Sequence, residues 1–111
     1  LLSPGGRDNF VDAMKADVRT LRLCRQAAEA LRTTLSGECA DEVLQDLEVA
    51  SVDPAPEGGV LVVSVGAGER SPVEVLDRLE RAKGLLRSAV ARAISRKRVP
   101  DLLFRILPPE A

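Results

Sequence analysis

The chain has 111 residues, 45% of them apolar, and a formal charge of −1, which suits one small domain with a single modest core. Its only aromatic residues are Phe10 and Phe104, so the core must be built from Leu, Val, Ile and Ala, and an aromatic platform for stacking bases is excluded. With no histidine and two cysteines it lacks the usual zinc ligand sets, and no apolar run approaches the roughly 20 residues of a membrane span.

Residues 1–16, opening on Leu-Leu-Ser-Pro-Gly-Gly without a methionine, read as a flexible N-terminal segment or an expression remnant. The domain proper is expected over 17–107. From about Asp17 to Leu35 the spacing predicts a helix, with Cys24, Ala27, Ala28, Leu31 and Leu35 on one face. Arg22, Arg25, Glu29 and Arg32 take the opposite face, and Gly37 is suited to the left-handed conformation past a helix end. Val43–Asp53 carries a strand in which Leu47 and Val49 alternate with Glu48 and Ala50. Pro54–Gly59 is turn chemistry, and the β-branched run Val60–Val65 is the strongest strand signal in the chain. The two strands are expected to form a hairpin with a loop longer than two residues.

Ser71, Pro72 and Glu74 mark a second helix start: a cap, a first-position proline and a capping-box glutamate. Val75, Leu79, Ala82 and Leu86 then run down one face, and the pattern resumes past Gly84 with Leu86, Val90, Ala93 and Ile94. Gly84 is costly inside a helix, by about 1 kcal/mol relative to alanine, so it is expected to bend the axis and let both halves reach one core. Pro100 pushes Val99 towards extended geometry and stops the second helix. Leu102, Phe104 and Ile106 alternate in a last strand, and residues 108–111 read as coil. The order α-β-β-α-kink-α-β predicts an α+β domain, a three-stranded sheet with its helices packed on one face. That order is the type II KH arrangement.

Charge is segregated along the chain. Every charged residue from Glu38 to Glu57 is acidic, and every one from Arg81 to Arg98 is basic: Arg81, Lys83, Arg87, Arg92, Arg96, Lys97 and Arg98. A basic block on a helix is an electrostatic footprint for nucleic acid, and a solvated face balanced by a nearby acidic stretch is the other reading. Projected as one helix, Leu86, Val90 and Ile94 make the buried stripe, with Arg87 and Arg98 to one side and Arg92 and Arg96 to the other. Small residues between them, Ser88, Ala91 and Ser95, would let a phosphate backbone approach. Arg19, Arg22 and Arg25 of the first helix form a second, weaker candidate patch. Catalysis finds no support, since there is no histidine, no phosphate-binding loop and no nucleophile beside a base. No cofactor and no metal are expected. Cys24 is expected in the core and Cys39 in a loop, both as thiols of a reducing cytoplasm.

Ala82-Lys83-Gly84 and the run Arg98-Val99-Pro100-Asp101-Leu102-Leu103-Phe104 resemble the bacterial ribosome-binding factor A family. That family has an alanine-any-glycine kink between its last two helices, and R-V-P-E-L-x-F after a basic helix. Val60–Gly68 resembles the family's second strand and the loop after it. The chain departs from the pattern where Ser36–Asp46 is acidic in place of a basic loop, and where Leu107 replaces an aspartate after the last strand. The resemblance implies a type II KH-like, non-enzymatic, cytoplasmic factor, expected as a monomer. Its implied partners are 16S rRNA and the 30S ribosomal subunit in late maturation and rRNA processing, with ribosomal proteins as further partners. A protein–protein module on the same fold that has lost RNA binding is the alternative, favoured by the acidic loop and the net charge.

Overall fold

The computed structural model describes residues 4–56, 58–94 and 98–108, with side chains from residue 18 onward. The first helix, α1, spans Pro4–Thr33 and so begins well before Asp17, inside the stretch expected to be a flexible lead. Pro4 fits a first helical turn, and no glycine or proline interrupts the chain from Arg7 to Leu35. Its expected apolar stripe is buried: Cys24, Ala27, Ala28, Leu31 and Leu35.

The end of α1 differs from expectation. Thr34–Glu38 continues as one widened π-helical turn, closed by the Cys39 N–H donating to the Thr34 carbonyl at 3.0 Å. Ser36 Oγ donates back to the Arg32 carbonyl at 2.8 Å. Gly37 lies inside this turn and is not left-handed; the left-handed glycines among the described residues are Gly58, Gly59 and Gly68. The turn folds the chain back under the sheet, so Cys39, expected in an open loop, is buried in the core.

Val43–Gln45 is not strand but part of a short helix, α2, Glu42–Gln45. Asp41 caps it, its carboxylate accepting from the Val43 N–H at 2.9 Å. The strand β1 therefore starts at Glu48 and runs to Pro54. It pairs antiparallel with β2, Val60–Gly66, and the register slips by one between Val49 and Ser51. That slip is a bulge at Ala50, and it resets the alternation so that Val49 and Val52 both face the core.

β2 is the central strand. It pairs parallel with β3, Asp101–Leu107, from Val60↔Asp101 to Gly66↔Leu107. Parallel neighbours need a long crossover, supplied here by α3, Pro72–Arg81, and α4, Lys83–Ala93. Ser71 accepts from the Glu74 N–H at 3.5 Å, and no return bond from the Glu74 side chain is found among the described residues, so the capping box is half made. Leu61, Val63 and Val65 of β2 meet Val75 and Leu79 of α3 and Leu86 and Val90 of α4 in one core. The result is the expected α+β fold of type II KH-like order, with α2 as an added turn.

Two features of the crossover differ from the expectation. The axis breaks at Ala82, with φ −89° and ψ 1°, while Gly84 sits within the first turn of α4. Ala82 reaches that conformation without left-handed backbone, so the bend does not require glycine. The helix also ends earlier: Ile94 is extended, φ −112° and ψ 148°, with its side chain still in the core. The start of β3 lies beside the first turns of α4, where Lys83 and Arg87 come within 4 Å of Asp101. Among the described residues no helix is long and apolar enough to cross a membrane.

Candidate nucleic-acid interface

The basic block of α3 and α4 is met by carboxylates, some from α3 itself and some brought in from elsewhere in the fold. Arg81 pairs with Asp77 on its own helix at 3.2 Å. Lys83 Nζ lies 3.9 Å from Glu80 and 3.6 Å from Asp101, and Arg87 Nε lies 3.8 Å from the same Asp101 oxygen. Arg87 also donates to the Val99 carbonyl at 3.4 Å. Asp101 is a node at the start of β3. Its carboxylate accepts the Leu102 N–H at 2.9 Å, and its own N–H donates to the Gly59 carbonyl at 2.9 Å. The Leu102 bond, with Lys83 and Arg87 beside it, holds its carboxyl below the usual aspartate range.

Arg92, in the last turn of α4, stands 3.6 Å from Glu38 of the π turn. The two sit over a shallow groove between α1 and α4 whose floor includes Ala30, Thr34, Ala89 and Ala93. The widened turn is what carries Glu38 across to α4. Sequence reasoning placed Glu38 in a separate acidic stretch, and only the backbone path shows the pairing.

Arg98, Arg19, Arg22 and Arg25 are exposed, and none has an ion pair with another described residue. Among the described residues, the cations without an ion pair are thus largely those of α1, the patch read as the weaker one. Arg32 is spent on structure, its guanidinium donating to the Val49 carbonyl beside the bulge at 3.0 Å. Because α4 ends at Ala93 and Ile94 is extended, Arg98 does not lie on the helix that carries Arg87, as the projection had it. Arg96 and Lys97 lie outside the described residues. Ala82, Lys83 and Gly84 form the junction of α3 and α4, with Lys83 held by Glu80 and Asp101 as above.

Part of the acidic stretch is fastened beside α3 and the loop before it. Arg78 donates to Asp41 at 2.7 Å and Arg70 to Asp46 at 2.6 Å. The Arg78 hydrogen bond and the Val43 and Leu44 N–H groups draw the Asp41 carboxyl below its ordinary range. Sequence reasoning passed over Arg70 and Arg78, and also Arg105 of β3, which lies across the open face of the sheet with its Nε and Nη2 donating to Ser64 Oγ at 3.1 and 2.8 Å. No cluster of metal-ligating side chains occurs among the described residues.

No protein-family model matches the chain. A ribosome-binding factor A from Koribacter versatilis is 31% identical over 87 residues, spanning 77% of this chain and 71% of that protein. One from Akkermansia muciniphila is 40% identical over 60 residues, 54% of this chain and 46% of that protein. The crystal structure of ribosome-binding factor A from Thermus thermophilus superposes with a TM-score of 0.68 at 32% identity, covering 78% of this chain and 94% of that one. A homology model of the same Thermus factor, fitted into a cryo-EM map of its complex with the 30S subunit, gives a TM-score of 0.55 at 34% identity, covering 79% and 88%. Identity at this level over most of both chains, on the same α+β order, leaves one assignment: the chain belongs to the ribosome-binding factor A family.

Proposed function

We propose that this protein is a non-enzymatic assembly factor that binds the 30S ribosomal subunit through 16S rRNA and assists its late maturation and processing. The observation that carries the reading is the likeness to the Thermus factor fitted into a 30S complex, at 34% identity over most of both chains. The charge pattern supports it: Arg19, Arg22 and Arg25 on α1, Arg92 on α4 and Arg98 beyond it are exposed cations suited to phosphates. Lys83 and Arg87 contribute less, because Asp101 already sits against them. Such contacts give affinity without reading sequence, which fits recognition of folded rRNA by its shape. Purified protein mixed with small subunits and sedimented through a sucrose gradient is expected to travel with the 30S particle at low salt and to leave it as salt rises. Failure to co-sediment with mature or immature 30S particles would refute the proposal. The pairing of Lys83, Arg87 and Arg92 with internal acids favours a protein-binding module as the second reading. That reading requires co-sedimentation to survive removal of the exposed arginines.

A further inference from the structure

We propose that the recess between the middle of α1, the β1–β2 turn and the Arg98–Pro100 segment before β3 receives one unstacked nucleotide of the RNA ligand, its base inside and its phosphate on Arg98. This rests on the RNA-binding reading above and adds to it a preference for RNA with an unpaired nucleotide. The recess has a volume of about 830 Å³, within the usual range for a small-ligand site. Its walls are apolar, Leu23 from α1, Ala55 and Leu61 from the hairpin, and Val99 from the connection. Pro54 and Pro100 add flat saturated ring faces, and the side-chain polar groups of the lining are Thr20 and Arg98.

The charge in the lining selects the class of ligand. Every other described cation of the basic block has a carboxylate within 4 Å: Arg81, Lys83, Arg87 and Arg92. Arg98 has no such partner among the described residues, and it lines the apolar recess. An anion attached to a flat, weakly polar group complements that pairing, and a nucleotide is such a ligand. A guanidinium can hold a phosphate through two parallel N–H bonds, or stack its plane on a base. In a chain with two aromatic residues, an apolar slot is the available substitute for a stacking ring. Gly58 and Gly59, both left-handed with no atom within 4 Å of an added Cβ, add backbone without side chains to the lining. A base paired inside a duplex cannot enter, so the recess distinguishes RNAs that phosphate contacts alone treat alike. It shares no lining residue with the Ala82–Gly84 junction.

The test uses two RNA hairpins of equal length, one fully paired and one with a single bulged 2-aminopurine. The full chain is expected to bind the bulged hairpin roughly tenfold more tightly, the order of effect of burying one ring-sized apolar surface, and the 2-aminopurine fluorescence should change on binding. Thr20→Leu, which narrows the recess, should remove the preference while leaving affinity for the paired hairpin unchanged. Arg98→Ala should remove it too and lower the salt slope by about one contact. Thermal melts of both variants establish that the fold is kept. Equal binding of the two hairpins with no fluorescence change would overturn the nucleotide site while leaving RNA binding standing. Failure to bind either hairpin, or any 16S rRNA fragment, would overturn the RNA reading and this site with it.

Discussion

Gly84 illustrates how a costly residue can be legible in sequence and yet misassigned. It was the natural candidate for the bend, but the break lies at Ala82, and a Cβ at Gly84 would meet no atom within 4 Å. Gly84→Ala is therefore expected to stabilise the fold by about 0.5–1 kcal/mol, the helix-propensity difference with no steric loss against it. Chemical denaturation measures this, and a destabilised variant would show that the glycine serves the backbone in a way the static structure hides. Cys39 is the converse case. Helical spacing placed Cys24 in the core correctly, but nothing after Leu35 announced the π turn that tucks Cys39 in as well. Burial raises its thiol pKa, with the Asp41 and Glu38 carboxylates adding to the effect, so the reactive thiolate is scarce near neutral pH. Both cysteines should react slowly with a thiol reagent in the folded protein and quickly in denaturant; rapid native labelling of Cys39 would place it at the surface after all.

At the scale of elements, what the sequence displayed was periodicity, and what it concealed was interruption. The stripes of α1, α3 and α4 and the run Val60–Val65 follow from spacing alone because burial of one face dictates them. The bulge at Ala50 and the α2 turn are each single-residue decisions, made by register against β2 and by the Asp41 cap. Neither leaves a periodic trace. The same limit applies to the interface: the basic block was plain to see, but its pairing with Asp101 and Glu38 depends on where strands and turns return. Asp41 carries a consequence for acid stability. Its folded carboxyl lies below the ordinary aspartate value, about 3.9, chiefly because Arg78 donates to it. A depressed pKa gives stability that is complete above the unfolded value and lost as pH falls through the folded one. Asp101 adds a second such group. The melting temperature should thus be flat down to about pH 4 and fall below it. Asp41→Asn should lower it at neutral pH and flatten the acid limb, and Arg78→Ala should do the same. An unchanged acid limb in both variants would mean the pair is not held in solution.

At the scale of the molecule, function turns on which cations remain available to a polyanion. The pairs of Lys83, Arg87 and Arg92 with Asp101 and Glu38 are half-exposed and 3.6–3.8 Å long, weak enough for phosphate to compete. On the proposed function, Arg92 is shared between Glu38 and RNA, whereas Arg98, Arg19, Arg22 and Arg25 would meet RNA with no described partner to give up. If these five arginines each neutralise a phosphate, binding to a 16S rRNA fragment should fall with salt at a log–log slope of roughly −3.5 to −4.5. Arg19→Ala, Arg22→Ala and Arg25→Ala together should reduce that slope by about 2 to 3, a larger change than replacement of Lys83 and Arg87, whose charge is already countered. Glu38→Gln should act in the other direction, tightening binding several-fold at low salt by releasing Arg92. Glu69→Gln changes the net charge equally at an exposed position with no described ion pair, and so measures the general charge effect to be subtracted. If Glu38→Gln and Glu69→Gln behave alike, Arg92 is not in the contact. If the three-arginine variant keeps the full slope with its fold intact, α1 faces away from the RNA and the binding surface lies elsewhere on the domain.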